Sequence, residues 1–424
     1  MPPRGRSGAW LFALGIALVL AIQPIWPDRV AVAVAAAIAL TLVAAARWQL
    51  RWAPVVVLVA CAIVLRLAVM EREASDVSDV TSAAIQTMLN GDNPYGFGYV
   101  VSRPAWAPFP YGPVALLWYL PAFRDPALIE FLVSIALILY FGVRAANGRP
   151  VGLAIFALAP PIVLAAMDGS NDTSAGLLIL AALVVAAKRP AIGAILLAVA
   201  VAFKPYAVAW LPPLVIWAGL STLVAFALAS LVVWAPVLIA WGPASYLRSL
   251  SMAHEVHLRQ AYWSLAAVLE GIIPETASRA LETTRYFVAG AVAIVGGLRV
   301  RSIDGVIMVG TAVFLIAQFG GYFGSYVYLA AIAPILCWRI DDWLNRGLPE
   351  VIRAYAEVPD IARRIRRPAI AGAAAGRSTA VPAGRSTAAI TSRSAAAPAR
   401  PVHQLHPGHP VRTGAGRPTR NPAG

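Results

Sequence analysis

Apolar residues along this chain come in long runs rather than in alternating or one-sided patterns. The runs cover 10–26, 29–46, 53–70, 127–143, 150–166, 173–187, 190–203, 205–219, 221–240, 284–298, 303–320 and 324–338. A helix needs about 17–25 mostly apolar residues to cross roughly 30 Å of hydrocarbon, and only helices or closed barrels satisfy their backbones there. The pattern therefore predicts an all-α polytopic membrane protein, a helical bundle of about 12 spans. A shorter apolar piece, 111–123, lies between Pro110 and Pro113 on one side and Pro121 on the other, and reads as a re-entrant or interfacial helix. One segment has helical amphipathy. From Asp76 to Asn90, Val77, Val80, Ala84, Ile85, Met88 and Leu89 fall on one side and Asp76, Asp79, Gln86 and Asn90 on the other. This predicts an amphipathic helix along the outer interface.

Composition agrees. The 424 residues are 60% hydrophobic and 13% charged, a balance foreign to soluble domains of this length. The run at 10–26 follows Arg4 and Arg6 like a signal peptide but lacks a small-residue cleavage site, and it is taken as the first span. Cys61 and Cys337 both fall within spans and read as structural rather than as a disulfide pair.

The net charge of +14 changes the picture only once its location is seen. After Asp360 there are eleven Arg and no acidic residue, in a segment dominated by Ala, Gly, Ser, Thr and Pro. Such a composition cannot bury a core, so the chain divides into a membrane domain, 1–340, and a tail, 341–424, disordered and Arg-rich from about 361. A basic tail after a last span reads as cytoplasmic and close to anionic membrane lipid; no nucleic-acid partner is expected. With both termini inside, "RWQLRW" (47–52), "RAANGR" (144–149), Lys188–Arg189 and "RVR" (299–301) all obey the positive-inside rule. The loops 71–126 and 241–283, with 167–174 and 320–326, are then extracytoplasmic, which gathers Glu71, Glu73, Asp76, Asp79, Asp92, Asp168, Asp172, His254, Glu255 and His257 on one side.

Each candidate residue has a chemical and a structural reading. Asp79 is a candidate catalytic carboxylate, and equally a first-turn residue favoured by the helix dipole, with Ser75 or Ser78 as the cap. Asp76 follows a span directly and precedes "GDNPYG" (91–96) and "PFPYGP" (108–113), whose Gly and Pro turns fold the chain back to the membrane. Lys204, one of two lysines, either meets a phosphate or snorkels at the interface. Arg259 is a phosphate candidate or a solvated loop residue. His254 and His257, within "HEVH", could line a pocket, join two ligands to a metal, or be a solvated cluster; no third ligand is evident and no metal is expected. Asn171 and Asp172 either line a pocket or cap the helix that begins near Thr173.

A span ending in Asp76, an amphipathic segment, the turn "GDNPY" and then "YGP" together resemble the first outer loop of glycosyltransferase family 87, polyprenol-phosphate-sugar-dependent enzymes of the GT-C superfamily. The resemblance extends over about 70–335. "AFKPYAVAWLPPL" (202–214) looks like the family's Lys-Pro segment, "HLRQAYWSLAAVL" (257–269) like its Arg-containing loop, and "GGYFGSYVYLAAIAP" (320–334) like its Tyr-rich opening to the last core span. Val80 and Ala83 stand where relatives commonly show Tyr, which leaves open whether Asp76 or Asp79 is the base.

The resemblance implies a GT-C-like bundle and an extracytoplasmic, inverting transfer of mannose or arabinose from a polyprenyl-phosphate donor to an envelope glycolipid or polysaccharide in a bacterial plasma membrane. It implies a carboxylate base (Asp76 or Asp79), cationic partners for the leaving phosphate (Lys204, Arg259), a pocket including Asn93, Tyr95, Tyr111, Asn171, His254, His257 and Tyr322, and no cofactor, although a divalent cation on Asp76 and Asp79 remains an alternative. Two other classes stand beside it. A multi-pass transporter or lipid-linked-sugar flippase would usually carry a repeat between its halves, and none is visible. A membrane scaffold acting through its basic tail would lose its role with that tail.

Overall fold

A computed structural model describes residues 5–48, 52–70, 75–257, 263–322 and 324–347. The chain divides into two units, Met1–Pro359 and Asp360–Gly424, and every described residue belongs to the first. The Arg-rich segment expected to be disordered lies outside the described residues.

The described chain is all-helical apart from one two-residue hairpin. The helices are α1 (Gly5–Ala21), α2 (Asp28–Arg47), α3 (Ala53–Ala68), α4 (Asp76–Leu89), α5 (Pro113–Tyr119), α6 (Pro126–Ala146), α7 (Pro150–Leu158), α8 (Pro160–Met167) and α9 (Asp172–Ala186). They continue with α10 (Pro190–Phe203), α11 (Leu211–Ala218), α12 (Leu220–Trp241), α13 (Pro243–His257), α14 (Leu265–Val268), α15 (Glu275–Leu298), α16 (Ile303–Phe319) and α17 (Tyr328–Arg346). The hairpin pairs β1 (Gly98–Tyr99) with β2 (Ala107–Pro108). Proline opens α5, α6, α7, α8 and α10, where its fixed φ suits the first turn and its missing N–H costs nothing. α9 is central, packed against α10, α17 and α6.

The apolar runs are helical, two of them in two pieces, but few of the helices reach full spanning length. Among the described residues α2, α6 and α12 are long and apolar enough to cross a membrane; α7 and α8 make a fourth if their 57° bend is counted as one broken span. That is consistent with a membrane protein, while the expected count of about 12 goes beyond what helix length alone supports. The run 205–219 is also divided, into a 3-10 segment, Pro205–Trp210, and α11. The last described helix, α17, continues past residue 340 to Arg346.

The bend between α7 and α8 shows how the bundle repairs a broken helix. Pro160 and Pro161 have no N–H, so the carbonyls of Phe156 and Ala157, four residues back, lose their intrahelical donors. Arg66, fully buried on α3, supplies both: its Nη2 donates to Phe156 O at 3.2 Å and its Nη1 to Ala157 O at 2.9 Å. At the other end of α7, Asp341 of α17 accepts from the amides of Val151 and Gly152, both at 2.9 Å. An anion at the N-terminus and a cation at the C-terminus match the helix dipole. Nearby, Arg339 and Arg346 pair with Asp304, and Arg149 with Asp342.

At the opposite end of the bundle α4 and α5 form a cover. α4 buries Val80, Ala84 and Ile85 as expected, with Ser78 and Thr81 beside them, but Leu89 of the apolar side is exposed. The piece 111–123 forms seven residues of α5 and a 3-10 turn, Leu120–Ala122; at about 1.5 Å per residue the helix is roughly 10 Å long, too short to cross. Gly112 lets this segment touch the end of α10. Its N–H donates to Phe203 O at 3.3 Å, and a Cβ there would stand 2.1 Å from the Ala202 carbonyl oxygen.

Candidate functional site

The site is built around Lys204, the residue after α10. Proline at 205 keeps the preceding residue out of the helical region, and Lys204 is accordingly extended, turning its side chain into the bundle. It is 6% exposed, so it does not snorkel. Its Nζ donates to Asn171 Oδ1 at 2.6 Å and pairs with Asp172 Oδ2 at 2.8 Å. The rings of Tyr206, Tyr111 and Tyr328 surround the ammonium at 5.1, 5.3 and 5.7 Å. A buried ammonium with no partner would cost several kcal/mol, and the carboxylate, amide and π-faces offset that desolvation. The second oxygen of Asp172 accepts from the Tyr206 hydroxyl at 2.6 Å.

The first turn of α4 docks onto the loop that carries these groups. Ser75 N donates to Asp168 O at 2.5 Å, and Ser78 Oγ to Gly169 O at 3.3 Å. Ser75 is the N-cap, accepting from Val77 N at 3.3 Å. Asp76 is half-buried; one of its oxygens accepts from the Arg103 amide at 2.7 Å, which ties the hairpin loop to it. Burial, followed by the charge of Asp172, the neighbouring Tyr328 and the more weakly acting charge of Asp76, holds the Tyr111 hydroxyl well above the ordinary phenol range, and Asn171 hydrogen-bonds to it. Asp168 accepts from Ser170 N at 2.8 Å and from the Tyr326 hydroxyl at 3.2 Å, and burial raises its carboxyl to about 6.

Tyr111, Asn171 and Asp172 thus meet at Lys204, with Asp76 near enough to act electrostatically on Tyr111, while the other expected site residues make their contacts elsewhere. Asp79 is exposed, one turn along α4. Asn93 Oδ1 accepts from Tyr95 N at 3.0 Å, an Asx-turn contact, and Tyr95 is buried among Phe109, Trp241 and Tyr246 as a packing residue of the outer loops. His254 Nδ1 is 3.5 Å from Glu282 Oε1, and Tyr322 N donates to Glu282 Oε2 at 2.9 Å. The side chain of His257 and all of Arg259, Glu71 and Glu73 lie outside the described residues. Among the described residues no three His, Cys, Asp or Glu side chains gather into a metal-ligating group.

Three charged residues that the pattern of runs and loops did not single out belong to this end of the molecule. Glu282 and Arg285 of α15 are buried and paired with each other, and both act electrostatically on Tyr328. Glu130 of α6 is fully buried; it accepts from the Tyr119 hydroxyl at 2.5 Å, from Ser174 N at 3.0 Å and from the Ser174 hydroxyl. The signal for Glu130 was present: a lone carboxylate inside an otherwise apolar run is expensive and marks a built interaction.

Aromatic rings, carboxylates, an amide and an ammonium can orient and hydrogen-bond a polyhydroxylated or phosphorylated ligand, and the half-buried Asp76 carboxylate is chemically able to accept a proton. No family model matches the chain, and neither a curated protein nor a solved structure matches it.

Proposed function

We propose that the chain is an integral-membrane glycosyltransferase of the GT-C type, its shorter apolar helices completing about 12 crossings. It moves a sugar, mannose or arabinose, from a polyprenyl-phosphate donor to an envelope glycolipid or polysaccharide on the extracytoplasmic face. The observation that carries this reading is the gathering of Tyr111, Asn171 and Asp172 around Lys204, with Asp76 acting electrostatically on Tyr111.

In this reading Asp76 accepts the proton of the acceptor hydroxyl as its oxygen attacks the anomeric carbon. The bond from that carbon to the donor phosphate breaks with inversion, and the phosphate leaves with the electron pair. Lys204 acts less as a free phosphate ligand than the sequence suggested, because Asp172 already balances its charge. It holds Asn171, Asp172 and three tyrosine rings in one wall, to which sugar hydroxyls and CH faces can bind.

A transporter or flippase of lipid-linked sugars is the second reading, favoured by the 57° break between α7 and α8, since broken helices frequent transporter binding sites. Purified protein incubated with radiolabelled polyprenyl-phosphate sugars and membrane acceptors separates the two. Transfer should occur, and Asp76→Asn should lower it by about 10²–10⁴ while donor still binds. Asp79→Asn should cost much less. Loss of transfer in Asp79→Asn alone moves the base one turn along α4; translocation of donor without transfer establishes the transporter reading.

A further inference from the structure

Asn171 occupies the N-cap position of α9, yet its side chain makes no capping bond. Asn at this position normally accepts from the amide two or three residues on, here that of Ser174. Instead Asn171 Oδ1 accepts from Lys204 Nζ at 2.6 Å. The Ser174 amide is satisfied from another helix altogether, by Glu130 Oε2 at 3.0 Å, 44 residues earlier in the chain. Glu130 is held in place for this contact by its other oxygen. Oε1 takes the Tyr119 hydroxyl at 2.5 Å and the Ser174 hydroxyl, and Ser174 Oγ in turn receives Trp118 Nε1 at 3.0 Å.

We infer that Glu130 is a positioning residue that substitutes for Asn171 as the cap of α9 and thereby releases Asn171 and Asp172 to hold Lys204. As placed toward Lys204 Nζ, the carboxamide oxygen of Asn171 makes no bond to the Ser174 amide, and Glu130 takes that amide instead. A carboxylate is suited to the N-terminus of a buried helix, where it accepts the orphan amide and meets the positive end of the dipole. It must also come from outside the loop, because every polar side chain of 168–172 is already engaged: Asp168 by Ser170 and Tyr326, Ser170 by the Ala165 carbonyl, and Asn171 and Asp172 by Lys204. Glu130 does not touch Lys204. It acts through the conformation of one amide side chain, and this holds whether or not the protein transfers sugar.

The chain has two lysines, so Lys188 serves as the internal reference for the reactivity of Lys204. Purified full-length protein in detergent is reductively methylated with formaldehyde and cyanoborohydride, and both lysine peptides are quantified by mass spectrometry. In the wild type Lys204 should react far more slowly than Lys188. Asn171→Ala should speed Lys204 by about tenfold or more, the scale of a lost hydrogen bond to a charged group. Glu130→Leu should do the same, because Asn171 then turns to cap Ser174. The decisive measurement is the double variant: adding Asn171→Ala to Glu130→Leu should leave Lys204 no faster than either single change. Glu130→Gln, which keeps an oxygen for the Ser174 amide, should react like wild type. If Glu130→Leu is folded by size exclusion and circular dichroism but leaves Lys204 protected, or if the two effects multiply, the proposal is wrong. Should Glu130→Leu not fold, Ser174→Pro combined with Asn171→Ala asks the same question by deleting the amide; Lys204 should then be no faster than in Asn171→Ala alone, and a further increase would overturn the substitution.

Discussion

Asp168 lets one carboxyl report on the site without any substrate. Burial raises it from an ordinary 3.8 to about 6, so the folded state binds this proton more tightly than the unfolded chain does. The contribution is therefore greatest below about pH 4, declines as pH rises to about 6 and is constant above, a difference of up to about 3 kcal/mol. Asp168→Asn keeps acceptors for Ser170 and Tyr326 and should flatten that decline when thermal unfolding is followed from pH 4 to 7. An unchanged slope would mean that another group titrates. At this scale the sequence disclosed some residues and hid others. Asp76 and Lys204 were legible because each adjoins the end of an apolar run. Glu130 and Arg66 were visible only as lone charges within apolar runs, and their roles were not, since a single charge barely alters the hydropathy of a 20-residue window and their partners lie 44 and about 90 residues away.

Both boundaries of α7 are met by charged side chains from other helices. The helix has nine residues, nearly all buried, and its exposed backbone groups are met by side chains of α3 and α17. Arg66→Met, close in volume and uncharged, leaves the Phe156 and Ala157 carbonyls without donors and should cost about 2 kcal/mol or more. Asp341→Ala, which removes a cap at the other end, should cost about 0.5–2 kcal/mol. Thermal unfolding in detergent checks both, and an Arg66→Met protein as stable as wild type would show that water enters the bend. Pro160 and Pro161 announced the break in the sequence, yet the run 150–166 is apolar throughout and reads as one span. Helix amphipathy at 76–90 was equally legible, whereas the docking of its first turn on 168–169 depends on hydrogen bonds to a loop about 90 residues away, which no periodicity encodes.

For the whole molecule, polar chemistry collects at two ends. One end holds Asp76, Asp172, Lys204 and Glu282; the other holds Arg149, Asp304, Arg339, Asp341 and Asp342. In the proposed topology the first end faces outside, as charge bias in the connections predicts. Cys61 and Cys337 are buried, so introduced thiols can be read against a low background. Val100→Cys, at an exposed position of the hairpin loop, should be labelled from outside intact cells by an impermeant maleimide. Asn147→Cys, exposed at the other end, should be labelled only after permeabilisation. The reverse pattern would put the Lys204 site in the cytoplasm and remove the lipid-linked donor reading.

The two caps of α7 also differ in when they come into being. Arg66 precedes Ala157 by 91 residues, so it has been synthesised before the broken helix emerges; Asp341 follows Gly152 by 189. At roughly 5–20 residues per second that interval is about 10–40 s, during which the Val151 and Gly152 amides await their carboxylate. α17 thus bolts shut a segment laid down much earlier in translation, and a nascent chain interrupted before residue 341 carries an open seam at the heart of the bundle.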